Sequence, residues 1–503
     1  MKFPRSAGIL LHPTSLPGGN GVGDLGADAF RFLDFLEAAG LSIWQMLPLG
    51  PTGYGDSPYQ CFSAFAGNPL LISVPEAKSA NPEADVDFGE VIPRKQQQLR
   101  QLFQRFVPDA RYERWTKQQP WLEDFALFTA IKAAHNGASW TEWAPPLAAR
   151  DQVALEKFRA AHLPEIQQVY FEQYVFFRQF EALKQECTKR GIRLMGDVPI
   201  YVAHDSADVW SNRELFQLND DGTLIVQAGV PPDYFSETGQ LWGNPIYNWE
   251  IMRNQRYAWW TNRMRASLAM FDVVRLDHFR GFEAYWEVPG LATTAINGQW
   301  VKGPGAELFN AITNDIGPLP IVAENLGLIT PEVEQLRKEF SYPGMSILQF
   351  AFGGDQTKPN EFKPHNLHRE SVVYTGTHDN DTTLGWWNAT ADGHSTRTAA
   401  EIAIEHADAL NYLDTDGNEM NWTLIRAALA SVADTVLIPM QDVLGLNSEA
   451  RMNLPGRQDG NWKFRFNWGQ LETASVRRLA GLIRLFDRQK NGKGVEGPKS
   501  VGN

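Results

Sequence analysis

Short apolar runs that end in polar residues recur along this chain, with helical patterns between them. The run Ile9-Leu10-Leu11 precedes an apolar stretch over residues 24–39 that carries one narrow polar stripe, Asp28, Arg31, Asp34 and Glu37. Three-residue spacing keeps such side chains near one face of a helix, so the pattern predicts a helix covered on most sides. Gly40 stands where the chain must turn out of that helix, a position that favours a left-handed residue. Apolar runs at 43–47, 193–197, 271–277, 320–324, 346–350, 371–377 and 435–440 predict seven further strands. Helical patterns at 206–212, 331–340 and 396–410 follow several of them. About eight strands alternating with helices are the pattern of an α/β protein of the (β/α)8 TIM-barrel class.

The spacing is uneven. Between the second and third strands, residues 51–190 carry their own helical patterns, at 123–134 and 165–190, and read as a mostly helical insertion. Residues 214–250 are rich in Gly, Pro and aromatics and read as a large loop insertion after the third strand. The whole chain, 1–503, reads as one barrel domain containing both insertions, although its length alone would equally suit about three domains. The polar tail after Lys490 reads as frayed.

Composition narrows the function classes. A net charge of −13 argues against nucleic acid and anionic membrane surfaces, which need clustered Lys and Arg. Cys61 and Cys187 are the only cysteines, too few for a disulfide framework, and no CxxC spacing occurs. The start, Met1-Lys2-Phe3-Pro4-Arg5, runs into an apolar stretch that His12 and Pro13 interrupt. It is unlike a signal peptide, and no stretch is long enough to span a bilayer. These features predict a cytoplasmic protein. The 17 Trp, 13 Tyr and 29 Phe suit the apolar faces of sugar rings, although most must be core.

Several motifs compete. Gly21-Val22-Gly23-Asp24-Leu25-Gly26 matches GxGxxG between a strand and a helix, the context of a dinucleotide site. A ribose-binding acid should end the next strand, but that strand ends Gln45-Met46-Leu47-Pro48. A Gly-rich connecting loop is the better reading. Asp414-Thr415-Asp416-Gly417-Asn418 has its glycine misplaced for a calcium loop and reads as a turn. Asn219-Asp220-Asp221-Gly222 reads as a hairpin connection. The histidines show no metal-ligand spacing.

The informative residues are acids at the ends of apolar strands. Alternation puts Val273, Arg275 and Asp277 on one face, with Val274 and Leu276 on the other. In a barrel, Arg275 and Asp277 then point into the mouth. Glu324 follows Ile321-Val322-Ala323, Asp379 follows the 371–377 run, and Asp197 follows Leu194-Met195-Gly196. One such acid is commonly a helix N-cap. Four on one barrel face suggest chemistry, because barrel enzymes place it there. Retaining cleavage of a glycosidic bond needs an ionised carboxylate as nucleophile and a protonated one as acid. Arg275 beside Asp277 favours the charged form there. Glu324 has no cation beside it in sequence, and desolvation and the Asp277 charge would raise its pKa. Asp379 is a third carboxylate for sugar hydroxyls.

Arg275-x-Asp277, Glu324 and His378-Asp379 resemble the motifs of the α-amylase superclan. Gly8-Ile9-Leu10-Leu11-His12-Pro13-Thr14-Ser15-Leu16-Pro17, Gly55-Asp56-Ser57-Pro58-Tyr59-Gln60, Gly196-Asp197-Val198-Pro199-Ile200-Tyr201-Val202, the stretch from Pro231-Pro232 to Asn244-Pro245, and the Trp462-Lys463-Phe464-Arg465 region resemble the amylomaltase (disproportionating enzyme) family of 4-α-glucanotransferases. The resemblance implies retaining transfer of a segment of an α-1,4-glucan to the 4-hydroxyl of glucose or another glucan, through a covalent intermediate, with no metal and no organic cofactor. It implies Asp277 as nucleophile, Glu324 as acid/base and Asp379 as third carboxylate. It further implies Arg275, His378, Tyr59 and Asp197 around the donor sugar, and Asp233, Tyr234, Phe235, Gln240 and Trp242 in a mobile loop on the acceptor side. Tyr54 matches a residue of a secondary glucan site. The competing readings are an amylase-type hydrolase using the same carboxylates, a non-catalytic glucan-binding barrel, and, on the GxGxxG alone, an NAD-dependent enzyme.

Overall fold

All eight apolar runs lie on or against barrel strands in the computed structural model, which describes residues 3–18, 20–74, 85–232, 237–355, 357–391, 397–457 and 459–489. In chain order the strands are β1 (Ser6–Leu10), β2 (Ile43–Gln45), β3 (Arg193–Pro199), β4 (Val226–Val230), β5 (Gln240–Pro245), β6 (Val273–Asp277), β7 (Ala284–Pro289), β8 (Gln299–Lys302), β9 (Ile321–Ala323), β10 (Gly344–Ile347), β11 (Ser371–Tyr374) and β12 (Thr435–Pro439). Eight of them pair in parallel in the order β10-β11-β12-β1-β2-β3-β6-β9. The two ends of this row meet. Ala323 N–H donates to the Pro343 carbonyl at 2.9 Å, and Met345 N–H donates to the Asn325 side-chain oxygen at 2.8 Å. The barrel thus closes with a side chain serving as one rung.

Period-two alternation sorts the side chains as the sequence requires. Ile43, Met195, Val273, Val322, Met345, Ile347, Val372, Tyr374 and Leu437 fill the barrel, with Phe3 among them. Trp44, Leu194, Val274, Leu276, Ile321, Val373 and Val436 point outward into the larger core shared with the helices. Along β6, Val273 is inside and Val274 outside, so Arg275 and Asp277 continue the inner row toward the C-terminal mouth. The 24–39 pattern forms a helix at Ala27–Ala38, and Gly40 adopts φ 76°. Its polar stripe is a seam between elements. Arg31 lies over the Trp468 ring at 4.4 Å, Asp28 accepts from Trp468 Nε1 at 2.6 Å, and Asp34 pairs with Arg190 at 2.5 Å.

The glycines of GxGxxG serve close packing. A Cβ on Gly23 would stand 2.0 Å from the Pro13 carbonyl oxygen, and one on Gly26 would stand 2.2 Å from Ser73 Oγ. Between β2 and β3 the chain forms the helices Phe88–Gln104, Ala110–Lys117, Leu122–Ala134, Pro145–Ala148, Gln152–Ala161 and Leu163–Lys189. The last of these fixes the segment after β2. Gln173 bonds both the N–H and the carbonyl of Gly67, each at 2.8 Å, and Gln179 does the same to Ser73 at 2.7 and 2.9 Å.

Two expectations need correction. Residues 214–250 are not one large loop. They contain β4 and β5, which join β7 and β8 in a four-stranded antiparallel sheet of order β5-β4-β7-β8. Gly and Pro, which read as loop, sit at a register shift in β4–β5 and at strand ends. The partner strand of β4 comes from more than fifty residues downstream, which local pattern cannot reveal. The 346–350 run starts and stops earlier as strand and ends in a 3-10 turn, Leu348–Ala351. The Asn219–Gly222 turn is present, with Leu218 bridged to Leu224. Asp414 and Gly417 are left-handed after the helix Ala399–Leu413. Among the described residues no helix is long and apolar enough to cross a membrane. The tail after Lys490 lies outside them.

The N-terminal rim of the barrel is tied by a buried guanidinium. Arg488 is 0% exposed and donates to the carbonyls of Leu429, Ser431, Asp434 and Ser6 at 2.7–3.3 Å. Arg488→Met keeps the bulk and removes these donors. It should cost about 2–4 kcal/mol, because buried acceptors lose charged partners. A urea midpoint equal to the wild type would contradict this.

Candidate active site

Asp277 ends β6, and Glu324 follows β9, the strand beside it. Asp197, on β3, is the register partner of Arg275 on β6, so the two side chains project into the barrel at the same height. Arg275 Nη1 donates to both Asp197 oxygens at 2.8 and 2.7 Å, and Nη2 lies 2.9 Å from Asp277 Oδ1. Its Nε reaches Met345 Sδ at 3.3 Å. Asp197 also accepts from the Tyr59 hydroxyl at 2.8 Å. Arg275 and Asp197 are each 3% exposed. A charge this buried is tolerable only with such complete pairing.

Tyr59 lies parallel to the His378 ring, with centroids 5.1 Å apart, and both pack against Trp462 at 5.8 and 6.0 Å. His378 Nε2 is 3.3 Å from Asp379 Oδ2, and Asn453 donates to Asp379 Oδ1 at 2.6 Å. Six of the residues singled out in the sequence, Tyr59, Asp197, Arg275, Asp277, His378 and Asp379, are thereby linked by contacts in one mouth. Glu324 joins them from β9, with its two oxygens accepting backbone N–H groups from His278 at 2.8 Å and Leu326 at 2.7 Å. The first of these bonds depends on His278 adopting the left-handed conformation, φ 51°, immediately after Asp277.

Trp242, on β5, stands edge-on to the His278 ring at 4.8 Å, and its Nε1 donates to Gln240 at 3.1 Å. Gln60 reaches the Trp242 carbonyl at 3.4 Å. Asp233, Tyr234 and Phe235 lie outside the described residues. Tyr54 sits on a surface turn, 73% exposed. Sequence reasoning passed over His12, His278, Asn453 and Trp462. His12 and Trp462 stand inside motifs already singled out, and His278 directly follows Asp277. Asn453 carried no local signal, since only the fold brings it to Asp379.

Desolvation dominates the electrostatics. It raises Glu324 above the ordinary carboxylate range, against the pull of Arg275 and the two amides. It also pushes Asp277 up to about 8, with Arg275 acting downward and the charges of Asp197, Glu324 and Asp379 acting upward. The expectation that Arg275 favours the charged form of Asp277 therefore meets a strong opposing effect. Two facts favour the charge on Asp277. Its side chain keeps 27% of its exposure. A guanidinium at roughly 4 Å is worth about 4 kcal/mol at an effective dielectric of about 20. Among the described residues Glu324 makes no ion pair, so Asp277 is the better stabilised of the two as a carboxylate. Burial lowers His378, and with His378 alongside it pushes His12 down to about 3. Both are neutral imidazoles near pH 7. Among the described residues, no three His, Cys, Asp or Glu side chains converge to hold a metal.

Comparisons with known proteins show the family. The family model described as 4-alpha-glucanotransferase matches residues 11–472. The 4-alpha-glucanotransferase of Thermus thermophilus is 47% identical over 506 residues, covering 97% of this chain and 100% of that protein. That of Synechocystis is 46% identical, covering 96% and 98%. Among solved structures, an amylomaltase from Streptococcus agalactiae in complex with acarbose superposes with a TM-score of 0.90 at 36% identity, covering 97% of this chain and all of that one. With the match running over nearly its full length in both sequence and fold, this chain belongs to the 4-α-glucanotransferase family.

Proposed function

We propose that this protein transfers segments of α-1,4-glucans and maltooligosaccharides to the 4-hydroxyl of glucose or another glucan, with retention of configuration, through an ester on Asp277. The observation that carries the assignment of roles is the pairing of Asp277 to the buried Arg275, on the strand next to the one that Glu324 follows, where Glu324 makes no ion pair among the described residues. One Asp277 oxygen attacks the anomeric carbon as the glycosidic bond breaks. Glu324 gives its proton to the departing oxygen. Glu324, now ionised, takes the proton of the acceptor hydroxyl, which attacks the same carbon and releases Asp277. Four carboxylates around one guanidinium leave surplus negative charge where the oxocarbenium-like transition state develops positive charge. Arg275, Asp197, Tyr59, His378 and Asp379 hold the donor sugar, and Tyr54 belongs to a secondary glucan site. Two free cysteines suit a reducing compartment, and we place the reaction in the cytoplasm.

An amylase-type hydrolase would use the same carboxylates with water as acceptor. The transferase reading requires that water be kept from the ester. The segment 230–245 is suited to that task. Gly239 and Gly243 adopt φ 67° and 70°, and Trp242 brings a half-buried ring beside His278, next to the nucleophile. Asp233, Tyr234, Phe235, Gln240 and Trp242 together form the acceptor-side cover in this reading.

Incubation with pure maltotriose should give glucose together with longer oligomers, whereas a hydrolase gives only shorter products. Asp277→Asn and Glu324→Gln should each lower turnover by about three orders of magnitude or more, since each removes a group acting in the transition state. Substantial transfer by Asp277→Asn, free of deamidation and wild-type carry-over, would sink the assignment. Trp242→Ala, Tyr234→Ala and Phe235→Ala are assayed for glucose transfer and reducing-end release together. The hydrolysis-to-transfer ratio should rise in at least one of them while cleavage persists; parallel loss of both activities in all three, or no change, would remove this segment from the role.

The pH profile tests the charge cluster. The Asp197 charge raises the Asp277 pKa. Asp197→Asn removes that charge and leaves Arg275 more fully to Asp277, so the folded-state pKa of the nucleophile falls. The nucleophile must be ionised, so the acid limb of kcat/KM should move to lower pH, whatever the loss in its height. A limb that stays put or moves to higher pH would contradict the assignment of that limb to Asp277.

A further inference from the structure

The segment between β11 and the helix Thr383–Asn388 carries His378 and Asp379, and a carboxylate outside the sugar-binding mouth grips both of its ends. Asp442 lies in the short helix Met440–Leu444, directly after β12, and is 1% exposed. It accepts the Thr375 hydroxyl at 2.5 Å, the Thr383 hydroxyl at 2.8 Å and the Thr383 N–H at 2.7 Å. Thr375 and Thr383 are both fully buried. A carboxylate is an acceptor only, so both hydroxyls must donate inward, and this fixes their rotamers. Asp442 is held in turn through its own carbonyl, which accepts from Asn421 at 2.9 Å. Within the segment, Asn380 accepts from the Thr377 N–H and hydroxyl at 2.8 and 2.9 Å, and Gln349 donates to the Asp381 carbonyl at 2.9 Å. A buried carboxylate with hydroxyl and amide partners is costly unless every bond is made, so the grip tolerates little displacement.

We infer that Asp442 is a positioning residue for glucan transfer: by holding Thr375 and Thr383 it sets the height and direction from which His378 and Asp379 meet the donor sugar. The inference rests on the reading of those two residues given above. Bonds from Asp379 to sugar hydroxyls strengthen as the ring flattens toward the oxocarbenium geometry, so a loosened segment costs the transition state more than the bound substrate.

The test uses the full chain, maltotriose and five single variants: Asp442→Asn, Thr375→Val, Thr383→Val, Thr375→Ser and Thr383→Ser. Valine keeps the shape of threonine and loses the donor, while serine keeps the donor, so folding and positioning separate even where Asp442→Asn proves unstable. Asp442→Asn and the two valine variants should lose about 10- to 100-fold in kcat with KM within about threefold of wild type, and the serine variants should recover to within about threefold in kcat. Urea midpoints are measured alongside, and kcat is referred to the folded fraction. The inference is overturned if the valine variants keep wild-type kcat, if serine and valine lose kcat alike, or if every loss follows the folded fraction or appears in KM alone. A wild-type protein that makes no longer glucan from maltotriose overturns the functional reading first, and this inference with it.

Discussion

One buried guanidinium organises the mouth of this barrel. Arg275 has no water to turn to and meets two carboxylates, Asp197 on its register partner and Asp277 two residues further along its own strand. Because side chains alternate with a period of two, a slip of one residue between β3 and β6 would carry Asp197 to the outer face and leave the cation with Asp277 alone. The pairing of charges and the pairing of strands therefore enforce each other. Removing Arg275 would leave two uncompensated carboxylates in a low-dielectric interior, a far larger penalty than losing a surface ion pair.

The rest of the molecule holds this cluster in shape. The helix Leu163–Lys189 fixes the segment after β2 through Gln173 and Gln179, and that segment brings Tyr59 to Asp197. The left-handed turn at His278 gives its N–H to Glu324, so the end of β6 also orients the Glu324 carboxyl. Trp462 arrives from near the end of the described chain to pack on Tyr59 and His378. Residues more than four hundred positions apart in sequence, Tyr59 and Trp462, thus form one wall.

Legibility in the sequence followed the range of the forces involved. All eight barrel strands were readable, since each is a local apolar run, and the acids beyond them stood out because charge at the end of such a run is costly. Alternation correctly sent Val273, Arg275 and Asp277 to one face. What escaped was non-local. The sheet of β4, β5, β7 and β8 is held by pairing between distant segments, and its glycines and prolines imitate loop. Asn453 touches Asp379 only because the fold delivers it. Arg275 and Asp277 were visible as neighbours, but the desolvation that opposes the guanidinium is a property of the closed barrel and has no signature in a pentapeptide.

The antiparallel sheet has a consequence for how the molecule can be rebuilt. Two of its strands precede β6 and two follow it, with β4 bonded to β7 across that interval. The sheet is therefore not a cassette. A crossover between two relatives placed anywhere from 246 to 283 would mate halves of different parentage, and a graft of 226–245 alone would arrive without its partner edge. The smallest exchangeable block runs from β4 to β8 and contains Arg275 and Asp277. Recombination that alters this sheet must carry the charged pair of β6 with it, which couples the inheritance of the two parts.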